Sequence, residues 1–324
     1  MSGGNSSSND QAAGRVCPRD WQLGAGHLRT AQSICADCLW VVGGLYGNLP
    51  ALQAWQRLYQ FDVDAGLATA AVFNGDFHWF DAEPETFARI EREVSEFAAT
   101  AGNVEAAIAA PNALIGCGCA YPASVGDDFV ERSNRIHQRL AAVAAGHPDA
   151  VDRLGRLPYA YRATVAGLRI GIIHGDPDSL AGWALAYENF AADPARLSAQ
   201  IDDWSAAAQV DVFACTHTCL AWAADFPAAA VINNGAAGMP NFSGQTWGLA
   251  TRIAAAEHAW PNALATIRRQ NTVLQAVAID YDQAAWLELF AGIWPDQSPA
   301  WRNYHQRICE GPKHLAAAAW PAAR

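Results

Sequence analysis

VVGGLYGNLPAL, residues 41–52, marks the passage from a buried strand to a helix. The apolar run 38–42 stops at a Gly-Gly pair that interrupts either regular structure. "LPALQAWQRLYQFD" then opens a helix with Pro near its start, where a missing N–H costs little. The same pattern recurs. "TAAVFNGD" is a second buried strand ending in Gly-Asp, and "YRATVAGLRIGIIHGD" reads as two strands joined by a tight Ala-Gly turn. "VDVFACTHT", "AAAVINNGA", "GLATRIAAA" and "TVLQAVAIDYD" read as four further strands. Helices are expected at "EPETFARIEREVSEFAA", "DDFVERSNRIHQRLAAVAA", "SLAGWALAYENF", "DPARLSAQIDDWSAAA" and "QAAWLELFAGI", and a strand and turn at "NALIGCGCAYP".

Strand and helix alternate in the first half, while consecutive strands dominate the second. This predicts an α/β chain of α+β character with two packed β-sheets flanked by helices, a four-layer sandwich. No linker divides the chain, so a mobile tail over 1–30 and one domain over 31–324 are expected.

Composition narrows the function. Of 324 residues, 52% are hydrophobic and 16% charged, which suits a compact globule. A net charge of −11 argues against a nucleic-acid polymer as partner, although a bound cation would reverse the sign locally for a small phosphorylated ligand. No apolar run approaches the roughly 18 residues that span a bilayer, and residues 1–15 lack a signal-like apolar core. A cytoplasmic protein without a membrane partner is expected; the oligomeric state is not legible. Eight cysteines in a reducing compartment read as buried thiols. The alternative is a four-thiolate zinc site from Cys35, Cys38, Cys117 and Cys119.

Polar, metal-competent residues follow the apolar strands: Asp76, Asn103, His174 and His217. Each alone has an ordinary reading, as a turn residue or a hydrogen-bonded core histidine. Four together at strand ends, where α/β sheets gather their ligands, point to one site.

The order "GLYGN … NGDF … GNVE … HGD … THTC … NNGAAG" resembles the calcineurin-like metallophosphoesterase superfamily, over roughly residues 37–240 and the strands to about 282. The phosphodiesterase-like bacterial branch is the nearest in pattern. The family carries D-x-H, G-D, G-N-H-[DE], a later His and G-H-x-H. By this resemblance Asp76 matches the carboxylate bridging two metals, Asn103 the amide ligand, His174 the isolated His and His217 the first His of the last motif. The first motif's Asp and His fall at Gly44 and Tyr46, the His beside the Asn at Val104, and the last His at Cys219. The resemblance therefore implies that one metal's private ligands are gone and the other's are kept. One divalent transition metal is expected, Mn, Fe, Co or Zn, with no second.

Replacement chemistry is sought at Tyr46 and His78 as acid–base or orienting groups, against a cavity plug and a loop cap. Asn48 and Asn234 are candidate substrate contacts, the latter in a turn whose amides could face an anion. Asp176, with Asp178, is a candidate acceptor orienting His174. Cys219 is a soft ligand or a buried thiol, and Trp79 and Trp183 are candidates to stack on a ring. The expected function is metal-dependent hydrolysis of a small phosphomonoester or phosphodiester. The alternatives are a metal-binding pseudoenzyme that recognises a phosphorylated ligand without turnover, and a hydrolase of another bond.

Overall fold

The computed structural model describes residues 13–112 and 114–320. In chain order the regular elements begin β1 (Gln32–Ala36), β2 (Cys38–Val42), α1 (Leu49–Asp64), β3 (Thr69–Asn74), α2 (Pro84–Val94), β4 (Ala98–Thr100) and α3 (Asn103–Ala109). Next come α4 (Asp127–Ala144), α5 (Pro148–Leu154), β5 (Ala160–Val165), β6 (Leu168–Ile173), α6 (Tyr187–Ala192), α7 (Pro194–Ala208), β7 (Val212–Cys215), β8 (Trp222–Asp225) and β9 (Ala230–Asn233). The chain closes with β10 (Gly248–Ala255), β11 (Ala265–Arg269), β12 (Thr272–Ile279), α8 (Gln283–Ile293), α9 (Pro299–Glu310) and α10 (Ala316–Ala319).

Two mixed six-stranded sheets form the body, ordered β1-β5-β6-β7-β9-β8 and β11-β12-β10-β2-β3-β4. Side-chain alternation explains the layering. Leu39 and Val41 of β2 face the other sheet and meet Ile170, Ile172, Val212 and Ile232. Their neighbours Cys38, Trp40 and Val42 face the helices with Trp55, Phe87 and Phe290. Because both faces are covered, the central strands read as unbroken apolar runs. The other sheet's outer face is closed by Leu197, Ile201 and Trp204 of α7.

Local signals set the helix starts. Asn48 caps α1 by accepting from Ala51 N at 3.0 Å. Asp193 caps α7, and Ser298 caps α9, each followed by Pro.

Some expectations need correction. "NALIGCGCAYP" forms no strand; its described residues are turns and loop, with Gly116 and Gly118 at positive φ. Of "SLAGWALAYENF" only the end is helical, as α6. The expected helix 83–99 stops at Val94, since Ala98–Thr100 pairs with β3. Residues 1–12 of the expected tail lie outside the described residues. Residues 13–30 pack on the body, with Trp21 and Leu28 buried, so structure begins before residue 31. No described helix is long and apolar enough to cross a membrane.

Strands β2, β3 and β4 run parallel in one sheet, and β6, β7 and β9 in the other. Their carboxyl ends are tied together across the layers. Asn74 donates from Nδ2 to Ile173 O at 2.7 Å, and Asn234 from Nδ2 to Gly43 O at 2.9 Å. The approach leaves no room for a Cβ: one on Gly75 would lie 2.5 Å from the Gly102 backbone, and φ there is +76°.

Candidate metal centre

At these strand ends Asp76, His174 and His217 bring ligand atoms within 4.8 Å of one another, all three buried. Asn103, the first residue of α3, joins them. Its Nδ2 donates to Cys117 O at 3.0 Å, which aims Oδ1 at His174 Nε2, 3.2 Å away. His217 Nδ1 lies 3.2 Å and Asp76 Oδ2 3.4 Å from the same nitrogen.

The tautomer gives this convergence its meaning. His174 Nδ1 sits 2.9 Å from Asn74 O, an acceptor only, so Nδ1 carries the proton there and Nε2 presents a lone pair. That lone pair faces an amide oxygen, a carboxylate oxygen and a second imidazole nitrogen. The Asn103 and Asp76 oxygens and the His174 lone pair repel unless a cation or a proton lies among them, which a metal or the proton of His217 Nδ1 would supply, and a set of imidazoles, carboxylate and amide is what a divalent transition metal takes.

Charge couples within the cluster accordingly. Burial works against a charged His174, but the Asp76 carboxylate beside it prevails and raises its pKa above the ordinary value. Burial works against ionised Asp76 too, yet the His174 charge holds its pKa below the usual carboxylate value. His217 is pushed down to about 3 by burial and then by the neighbouring His174. It stays neutral and available as a ligand at any ordinary pH.

The backbone here is strained. Tyr46, Asp76, His217 and Cys219 have φ of 56°, 51°, 36° and 62°, a region that residues with a Cβ rarely adopt. Glu105, in "GNVE", holds the loops in place. It accepts from Gly102 N and Asp76 N at 2.8 Å and from His78 N at 3.2 Å, a role the sequence reading missed.

Where the resemblance puts a second metal, the structure puts a phenol and a thiol. Tyr46 Oη lies 2.8 Å from Cys219 Sγ, and that Sγ lies 3.2 Å from His217 O as donor. A Cβ on Gly44 would fall 2.8 Å from the Tyr46 ring, so the ring occupies the space an aspartate at 44 would enter.

Other expected site residues have different work. His78 is fully buried away from the cavity. Its Nδ1 lies 2.6 Å from Asp81 and its Nε2 3.1 Å from Glu91, while its ring stacks on Phe87. With both nitrogens committed it has no access to substrate, so the acid–base expectation for His78 is withdrawn. Asn48 caps α1 and donates to Gly238 O at 2.8 Å. Asn234 donates to Gly43 O and Leu249 O, bracing the sheets. Neither asparagine lines the cavity. Asp176 accepts from the amides of Asp178, Ser179 and Ala184, folding its own loop, and the backbone of Asn74 orients His174 instead. The four-thiolate alternative also fails. Cys38 donates to Asp62 on the far face of β2 and Cys35 is exposed, whereas Cys117 and Cys119 are buried beside Asn103.

A cavity of about 270 Å³ opens over the cluster, lined by Asp76, Asn103 and His217 on its floor and by Tyr46, Cys219, Trp79 and Trp183 around them. Its far wall is aromatic, from Tyr121, Phe129 and Tyr304, and Arg307 of α9 reaches it from the side. Arg307 follows no strand and belongs to no motif; the sequence reading did not find it.

No family model and no curated protein sequence matches the chain. Solved structures do. A hypothetical protein of Pyrococcus horikoshii is 13% identical with a TM-score of 0.58, covering 86% of this chain and all of its own. A metallophosphoesterase of Sphaerobacter thermophilus is 16% identical with a TM-score of 0.52 and the same coverage. These likenesses show the fold: the chain shares the architecture of that metallophosphoesterase, two packed sheets flanked by helices.

Proposed function

We propose that this chain is a metal-dependent phosphoesterase that holds a single divalent transition metal through Asp76, Asn103, His174 and His217. The observation that carries it is the convergence of four ligand-competent atoms, two of them imidazole nitrogens, on one buried point. A divalent cation there supplies electrophilic activation of water and of a phosphoryl oxygen. The chain's own groups do the rest. Tyr46 is held protonated, because burial raises its pKa well above the ordinary phenol value, and its hydroxyl, which meets Cys219 Sγ at the cavity edge, donates to a phosphoryl or leaving oxygen on turning from the thiol. Trp79, Trp183 and the far wall give the approach to the floor an apolar lining. The Tyr46–Cys219 pair, in the space beside Gly44, supports a count of one metal. A small phosphomonoester or phosphodiester is the substrate class, and the eight unpaired cysteines fit a reducing cytoplasm.

A second reading is recognition of a phosphorylated ligand without turnover. One observation favours it: Val104 stands where the resemblance puts the family's proton donor, His78 is committed elsewhere, and the Tyr46 hydroxyl is paired with Cys219. Elemental analysis together with a phosphoester panel under added Mn and Zn separates the readings. About one equivalent of metal with hydrolysis supports the phosphoesterase, one equivalent without hydrolysis supports the second reading, and two tightly held metals refute the single-metal count.

A further inference from the structure

Arg307 is the cation of the cavity wall, and among the described residues no carboxylate pairs with it. Its hydrogen bonds go to carbonyls: Nη2 to Cys219 O at 2.6 Å, and Nε and Nη2 to Pro240 O at 3.4 and 3.3 Å. These fix the fork beside the Tyr46–Cys219 pair and leave Nη1 without a protein acceptor. A half-buried guanidinium held by carbonyls, one arm free, with a cavity before it, is arranged to take an anion.

The rest of the wall indicates what the anion is attached to. Tyr121, Phe129 and Tyr304 pack edge to face, with centroids 5.8 Å apart for Tyr121–Phe129 and 5.5 Å for Phe129–Tyr304. Hydrogen bonds pin the assembly. Tyr121 Oη meets Ser133 Oγ at 3.2 Å, and Trp183 Nε1 donates to Cys119 O at 2.9 Å. The apolar wall is therefore preformed. An apolar cavity of about 150 Å³ holds one benzene. At about 270 Å³ this cavity takes one ring and one small anionic head; anything larger must extend out of its mouth.

We infer that the ligand is a monocyclic or similarly compact apolar phosphoester, its anionic head between Arg307 and the Asp76–His217 floor and its apolar body against the Phe129–Tyr304 wall. The inference deepens the proposed function and rests on its phosphoryl reading, but binding tests it without turnover. The probes are inorganic phosphate and phenyl phosphate, titrated into the purified full chain and followed by quenching of tryptophan fluorescence, to which Trp79 and Trp183 contribute. Metal content and melting temperature are measured on the same samples.

Phenyl phosphate should bind roughly tenfold or more tighter than inorganic phosphate, the usual effect of burying a ring. Arg307→Gln should weaken both by roughly 10- to 100-fold, the scale of a charge-assisted hydrogen bond, with metal content unchanged. Phosphate affinity unaltered in folded Arg307→Gln overturns the assignment. Should that variant fail to fold, Phe129→Ala decides: loss of the phenyl preference with phosphate affinity intact supports the inference, and an intact preference refutes it. Hydrolysis is scored separately, so binding without turnover counts against the proposed activity and leaves this inference standing.

Discussion

If the Tyr46 ring fills the space an aspartate at 44 would need, then Gly44→Asp and Tyr46→His must couple strongly. Gly44 has φ +66°, and a Cβ there would lie 2.8 Å from the ring carbon and 3.0 Å from the phenol oxygen. The single change Gly44→Asp therefore incurs about 1 kcal/mol for left-handed backbone. Displacing a packed ring adds about 1–3 kcal/mol, and the lost Tyr46–Cys219 hydrogen bond about 1 kcal/mol. The expected total is about 3–5 kcal/mol. In the double variant the smaller imidazole removes the overlap and the hydrogen-bond loss is shared with Tyr46→His, so only the backbone contribution persists in full. The coupling should come to about 2–4 kcal/mol, the overlap plus the hydrogen bond that both single changes lose, at the upper end of the range for residues in direct contact. Urea unfolding of chelator-treated protein measures it, because bound metal would otherwise add its own stabilisation by mass action. Additivity within about 0.5 kcal/mol would show that the ring does not occupy the aspartate's space. Metal content adds an independent reading: if the pocket still suits a cation, the double variant should exceed one equivalent while Gly44→Asp alone does not.

Three further outcomes are expected. His174→Ala and His217→Ala should each weaken metal affinity by at least the roughly 10- to 100-fold seen when outer partners of a ligand are removed, whereas Cys219→Ala should leave it unchanged; equal losses in dialysis would make the thiolate a ligand. Tyr46→Phe should keep metal content and fold while turnover falls by roughly 10²-fold, and an unchanged rate would reduce Tyr46 to a space-filler. Stability should depend on pH through the buried His78–Glu91–Arg153 chain. Glu91 is depressed to about 2, against burial, by His78 and Arg153, so its contribution is full above about 4.5 and lost as pH falls toward 2. His78 is raised to about 10, again against burial, by Asp81 and Glu91, so its contribution is full below about 6.5 and lost as pH rises toward 10. Denaturation midpoints across this range should weaken at both ends, and in Glu91→Gln the acid limb should flatten; an unchanged acid limb would refute the linkage.

What the sequence revealed depended on burial. β2, β3, β6, β7 and β9 are covered on both faces, so each is an apolar run ending in Gly or a polar residue, and the residues gathered at those ends can be read in order. β1 and β11 lie on sheet edges with half-exposed alternation, "QSICA" and "ATIRR", and carry no such signal. β4 is three residues long and follows α2 closely enough that the helical periodicity absorbed it. α9 was legible in principle, since Ser298 and Pro299 supply cap and first-turn signals, but its apolar stripe is interrupted by Arg302, Asn303 and Gln306.

The site divides along a different line. Residues that follow a strand in sequence could be placed at its end, which is why Asp76, His174 and His217 are found together; the strand before Asn103 was not legible, and the order of the motifs placed that residue. What each side chain faces is set by partners far along the chain, and local pattern is silent on that. His78 looked available because it follows Asp76 by two residues; Asp81 and Glu91 take both its nitrogens. Arg307 went unseen for the converse reason. It lies 88 residues beyond Cys219, in a helix with no motif, and only the packing of α9 against α4 carries it to the cavity. Ligands of a strand-end site are thus written locally. What surrounds those ligands is written in the packing, and Tyr46 belongs to both: its position follows from the strand, and its surroundings are Cys219, which meets its hydroxyl, and Gly44, whose missing Cβ leaves room for the ring.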